Sequence, residues 1–306
     1  MIESRKLTKK YRKKVAVEDL SFTVETGKVT GFLGPNGAGK STTMRLMLGL
    51  DHGAGHTLYD GKALHEYTQP SQIVGILLEA KAFHPTRTAR NHLGVLADQG
   101  GIPLARVDEV LDIVGLTDVA KKRPGKFSLG MSQRLGIAAA LLGKPKYLLL
   151  DEPANGLDPE GIHWLRQFLK DYADAGNGVF VSSHLLSEMS LMADNLVVIG
   201  KGKLITTGTV SDLINGTKGA NVLVRTTKAS VLQKALKARK IEFEKTDGGL
   251  KVYGTETDII GKLAFELNVP ILELSKAAVS LEDAFLELTA ESQEYRAQDA
   301  KKEDTK

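Results

Sequence analysis

Gly34-Pro35-Asn36-Gly37-Ala38-Gly39-Lys40-Ser41 is the stretch on which the fold turns. It fits the spacing of a glycine, four residues, then Gly-Lys-Ser/Thr. The glycines let backbone N–H groups converge on phosphate oxygens with no side chain in the way. A helix that starts there points its positive end at the anion. Lys40 is positioned to reach terminal phosphates, Ser41 to ligate Mg²⁺ through its hydroxyl, and Thr42 to join the binding set. The motif also needs a strand before it and a helix after it. Residues 29–33 are uncharged, mostly apolar and strand-sized, and a helix is expected from about 40 to 50.

A second stretch, Tyr147-Leu148-Leu149-Leu150-Asp151-Glu152-Pro153, sets two carboxylates at the end of another apolar strand. Open α/β sheets bind ligands at the carboxyl ends of their strands. Asp151 is therefore expected beside the phosphate loop, holding Mg²⁺ directly or through water. Glu152 is expected to be the general base that orients an attacking water. Together the two stretches point to a P-loop nucleoside triphosphatase with ATP and Mg²⁺ at its site.

Three further segments narrow the class. Phe127-Ser128-Leu129-Gly130-Met131-Ser132-Gln133-Arg134 resembles the signature motif of ABC transporter ATPases, Asn155-Gly156-Leu157-Asp158 resembles their D-loop, and Ser182-Ser183-His184 ends in what resembles their switch histidine. Tyr11 precedes the first core strand, where the family places an aromatic against adenine; packing on a hairpin is the other reading of it. The resemblance covers residues 2–214 with its motifs in the family's order. It implies that Ser128 and Gly130 reach the γ-phosphate held by a second copy in a head-to-tail homodimer. Ser128 caps a helix in either case. It also implies that His184 meets the γ-phosphate, in a charge state the sequence leaves open. A separate transmembrane permease is the implied partner, with this chain peripheral on the cytoplasmic face of the cell membrane.

Two departures from the family's pattern matter. Glu79 stands where the family has Gln. A carboxylate ~4 Å from a phosphate charge costs roughly 4 kcal/mol at an effective dielectric of about 20, so Glu79 is expected on the cation or the water. Phe127, Leu129 and Met131 replace signature residues while Ser128 and Gly130 remain. These features resemble the exporter ATPases of bacitracin resistance and lantibiotic immunity. They imply a bacterial exporter of a peptide, antibiotic or lipid-like molecule. The alternative is a soluble ABC ATPase acting on ribosome or DNA, but such proteins usually carry paired modules or a coiled-coil insertion.

Composition sets limits. Cysteine is absent, which excludes disulfides, zinc–thiolate sites and thiol nucleophiles. The net charge of +4 is too small to argue for nucleic acid. Arg5, Lys6, Lys9, Lys10, Arg12, Lys13 and Lys14 cluster, with Tyr11 as the single aromatic among them, too few for a run of stacking platforms. They read as a solvated hairpin or as an attraction for ATP or anionic lipid. No apolar run reaches the ~18 residues of a spanning helix, and no signal peptide is visible.

Strands alternating with helices predict a mostly parallel sheet over residues 1–216, with an antiparallel β part and a helical insert near 82–143. Residues 81–86, with Phe83, resemble the family's groove for a permease helix, or else pack inside the domain. After residues 215–219 the pattern becomes βαββαβ plus a helix, a small α+β ferredoxin-like unit over 217–291. Residues 292–306 read as a charged, disordered tail.

Overall fold

The computed structural model describes residues 1–12, 14–216, 221–246 and 249–277, with Leu281 and Phe285. The chain divides into two units, Met1–Thr209 and Val210–Leu288. The division falls ahead of the glycine-rich stretch where the sequence suggested it.

The first unit contains β1 (Ile2–Tyr11), β2 (Lys14–Val24), β3 (Lys28–Leu33), α1 (Lys40–Met47), β4 (Ala54–Tyr59), α2 (Pro70–Ile73) and β5 (Val74–Leu77). It continues with α3 (Ala89–Gln99), α4 (Ala105–Ile113), α5 (Leu129–Leu141), β6 (Tyr147–Leu150) and α6 (Pro159–Asp174). It closes with β7 (Gly178–Ser183), α7 (Leu186–Met192), β8 (Asn195–Gly200) and β9 (Lys203–Thr209).

The main sheet runs β5-β6-β7-β3-β8-β9, and every neighbouring pair is parallel except β8 with β9. β3 and β6 sit inside it with both faces covered, which explains the unbroken apolar run of β6 and the burial of every β3 residue after Lys28. A second, antiparallel sheet has the order β2-β1-β4. Phe22 on β2 stacks on Phe32 and Phe180 of the main sheet, with ring centroids 5.8 and 5.3 Å away, so the two sheets share one core. α6 is strongly marked in the sequence at both its start and its buried face. Asp158 caps it by accepting from the Gly161 amide at 2.9 Å, Pro159 opens it, and Leu165, Leu169 and Ala173 recur on one buried face.

β1, β4 and β9 carry little sequence signal. β1 has a solvated face and register shifts, with Lys6 at φ 51°, so its alternation of apolar and polar residues is broken. Asp60-Gly61 forms a turn, with φ 50° and 84°, but it closes only a single bridge between Tyr59 and Lys62.

The second unit contains α8 (Val210–Gly216), β10 (Asn221–Thr226), α9 (Ala229–Ala238), β11 (Phe243–Thr246), β12 (Gly249–Val252), α10 (Thr257–Glu266) and β13 (Ile271–Ala277). From β10 onward this is the expected βαββαβ order, folded as an antiparallel sheet β11-β12-β10-β13. Val222, Val224, Leu232, Leu236, Leu250, Val252, Ile260 and Leu263 form its own core. Most of the helix expected over 281–291 and the tail over 292–306 lie outside the described residues. Among the described residues no helix is long and apolar enough to cross a membrane.

Candidate active site

β3 ends at Leu33 and α1 begins at Lys40, so the glycine-rich loop spans the gap between a central strand and a helix N-terminus. Its last glycine is sterically required. Gly39 has φ 105°, and a Cβ there would lie 2.5 Å from the Ala16 carbonyl oxygen. A strained non-glycine residue costs on the order of 1–3 kcal/mol. Gly39→Ala is therefore expected to weaken ATP binding roughly tenfold, measured by titration with a fluorescent ATP analogue. Unchanged affinity would show that the loop does not cradle the phosphates.

The loop opens on a cavity of about 270 Å³. Pro35, Asn36, Gly37, Gly39, Lys40, Ser41 and Thr42 line it from loop and helix, Asp151 and Glu152 from the end of β6, and Lys14 and Ala16 from β2. Gly34 and Ala38 act behind the lining. The Gly34 carbonyl accepts from Lys40 Nζ at 2.7 Å, and the Ala38 carbonyl accepts from the Gly202 amide at 3.0 Å. Cavities of about 550 and 490 Å³ are larger, yet one is mostly apolar and neither contains the loop. Chemistry, not size, marks the site.

Glu152 is the hub. Its Oε1 lies 3.5 Å from Lys40 Nζ and its Oε2 lies 2.7 Å from His184 Nδ1. An ionised carboxylate only accepts, so Nδ1 of His184 carries the proton in that pair. Lys40 is 7% exposed, which makes it a cation largely removed from water. Glu152 itself has φ 49°, a left-handed backbone that a side-chain-bearing residue takes only when its surroundings enforce it. Those surroundings are named. The Glu152 amide donates to Ser182 Oγ at 2.9 Å, and Ser182 Oγ in turn donates to Asp151 Oδ1. The Glu152 carbonyl accepts from Gln133 Nε2 at 3.2 Å.

The donor set suits Mg²⁺. Ser41 and Asp151 face one cavity with hard oxygen atoms. No group of three or more His, Cys, Asp or Glu able to hold a metal exists among the described residues. Mg²⁺ typically takes one or two protein oxygens and fills its shell with water and phosphate, so this pair fits it.

The remaining expected site residues lie elsewhere. Glu79 is exposed and lines the apolar groove of about 550 Å³, so it is not gathered with Ser41 and Asp151. Tyr11 is 47% exposed and outside the phosphate cavity. Its hydroxyl donates to Asp51 Oδ2 at 2.7 Å, and that bond raises its pKa, with desolvation adding to the effect. Arg45 and then Tyr11 hold Asp51 below the usual carboxylate range. Ser128 caps α5 by accepting from the Met131 amide at 3.1 Å. Gly130 rests on the D-loop, where a Cβ would come 2.9 Å from the Gly156 carbonyl oxygen. None of residues 127–131 lines this chain's own phosphate cavity. Gln133 and Ser182 were visible only as letters inside motifs. Their roles depend on which backbone groups face them, which no spacing encodes.

The chain is similar to known proteins. A family described as ABC transporter matches residues 17–155, and one described as a domain of unknown function matches 220–282. The ABC transporter ATP-binding protein YhcH of Bacillus subtilis is 38% identical, over 96% of this chain and 97% of its own length. The bacitracin transport ATP-binding protein BcrA of Bacillus licheniformis is 36% identical, over 94% and 97%. A solved structure, the ATP-binding subunit of an ABC transporter, superposes with TM-score 0.64 and 28% identity, over 71% of this chain and 92% of its own.

Proposed function

This chain belongs to the ABC transporter ATP-binding family, and from that premise we propose that it powers a bacterial exporter through a separate transmembrane permease. It is an ATPase coupled to transport. The observation that carries the finer reading is the chain Lys40–Glu152–His184, whose first two members line the phosphate cavity. Glu152 takes a proton from water as the water oxygen bonds to the γ-phosphorus, and the bond to the bridging oxygen breaks to leave ADP. A bound triphosphate competes for Lys40 and releases Oε1 for that task. His184 orients the base and meets the γ-phosphate. Mg²⁺, held by Ser41 and Asp151, would neutralise charge on the phosphates. Gly34 to Gly39 supply backbone donors, and Tyr11 supplies a ring for the adenine.

Ser128 and Gly130 stand apart from their own phosphate cavity, which supports their serving the nucleotide of a second copy. The assembly we propose is a head-to-tail homodimer closing on ATP, peripheral to the cytoplasmic face of the membrane. The groove lined by Leu77, Glu79, Phe83, His92, Leu96 and Leu135 suits an apolar helix of the permease. The cargo we infer, from the relative that transports bacitracin, is a peptide antibiotic or similar amphipathic molecule.

Tagged full-length protein and a Phe83→Arg variant, recovered from the producing cells in mild detergent, test this reading. Wild type is expected to retain a protein with several spanning helices. The variant should lose it while keeping basal ATP turnover within about twofold, since Phe83 is remote from the phosphate cavity. Recovery of ribosomes instead of a permease would favour a soluble translation-linked ATPase and overturn the proposal.

A further inference from the structure

We propose that Gln133 is a positioning residue for Glu152, joining the first turns of α5 to the loop that carries the base. The proposal rests on the reading of Glu152 as general base. Gln133 is 4% exposed, and its Nε2 donates to the carbonyls of Glu152 at 3.2 Å and Asn155 at 3.3 Å. Both N–H bonds of the amide are thereby used. Its Oε1 is buried and has no partner. Buried amides normally bond at both ends. Turning this one over would set its oxygen against two carbonyl oxygens. The two donor contacts therefore decide its orientation, and the unpaired oxygen is the consequence.

One of the two carbonyls it holds belongs to a residue in a left-handed backbone conformation. Glu152, at φ 49°, is gripped on its amide side by Ser182 and on its carbonyl side by Gln133 and the Asn155 amide, the last at 3.2 Å. Ser182, one residue before the end of β7, ties the base to the sheet. Gln133 ties it to α5. There is no slack between them, because Gly130 in the first turn of α5 lies against the Gly156 carbonyl, 2.9 Å from where a Cβ would stand. A shift of that turn must move the Glu152 carbonyl with it. Ser128 caps α5 and Gly130 lies in its first turn, and these are the residues proposed to meet the nucleotide of the second copy. One amide thus lets engagement at one site set the geometry of the base at the other.

The full-length chain tests this. Gln133→Met keeps the length and removes both donors. Its kcat should fall roughly tenfold, since a small displacement of a reacting group is costly, while KM and ATP affinity stay within about twofold. Combined with Glu152→Gln it should cause no further loss, because both act on one group. Gln133→Glu supplies a second readout. Ionised, it can only accept; protonated, it can donate one bond. Its kcat relative to wild type should rise as pH is lowered from about 8 to about 6, given how far burial lifts a carboxyl group. A Gln133→Met protein with wild-type kcat per folded molecule would overturn the proposal, whatever its melting temperature. If that variant does not fold, a pH-independent ratio for Gln133→Glu overturns it. Loss of turnover in Glu152→Gln beside normal turnover in Gln133→Met would sink this proposal alone. Retained turnover in Glu152→Gln would sink the reading beneath it.

Discussion

Glu152→Gln is expected to lose ATP turnover by roughly 10²- to 10⁴-fold, the usual worth of a positioned general base. The substitution is nearly isosteric. Its amide and carbonyl keep their bonds to Ser182 and Gln133, so the left-handed backbone at residue 152 stays supported. The new side-chain oxygen still accepts from His184 Nδ1, which lies 2.7 Å from the present carboxylate. What disappears is the basicity and the negative charge 3.5 Å from Lys40 Nζ. Removing that competitor frees Lys40 for phosphate, so ATP affinity should hold or rise. Phosphate release at steady state, read beside binding of labelled ATP, separates the two effects. Turnover within tenfold of wild type would remove Glu152 from the role of base.

Lys40→Ala is expected to act on binding. Lys40 is a largely buried cation that donates to the Gly34 carbonyl at 2.7 Å and faces Glu152. Alanine leaves Glu152 without that partner and deprives the phosphates of a charge-assisted bond. Such bonds contribute about 1.5–3 kcal/mol, which corresponds to roughly 10- to 150-fold in affinity. Lys40→Arg should not restore it, because a planar guanidinium needs more room than this site allows a point charge. Equilibrium dialysis with ATP reads the effect. Affinity within about twofold of wild type would show that Lys40 is structural.

Where the chain's sequence was readable, a local feature carried the information. The run from Gly34 to Ser41 has a fixed spacing, and β6 reads as a buried strand because Tyr147 to Leu150 are apolar without interruption. The second unit was readable from its βαββαβ pattern, and its second helix is observed at Thr257–Glu266. β1 and β4 were not, because they form a sheet with a solvated face and irregular register, so exposed Arg5 and His56 hide the pattern. β9 pairs along only one edge and ends the sheet. At the site, spacing indicated which residues bear charge but not what holds them. The grip on Glu152 comes from Gln133 and Ser182, and each contact joins segments far apart in sequence. Glu79 shows the reverse limit: its chemistry suggested a cation, while the end of β5 carries it to the apolar groove.

The most direct test is to mix Glu152→Gln with Mg-ATP, pass it through a sizing column, and determine both the mass and the nucleotide that stays bound. The account predicts a dimer carrying one unhydrolysed ATP per chain, with Lys40 and Glu152 of each copy completed by the other copy's Ser128 and Gly130. A monomer that retains ATP, or a dimer that carries ADP, would contradict it.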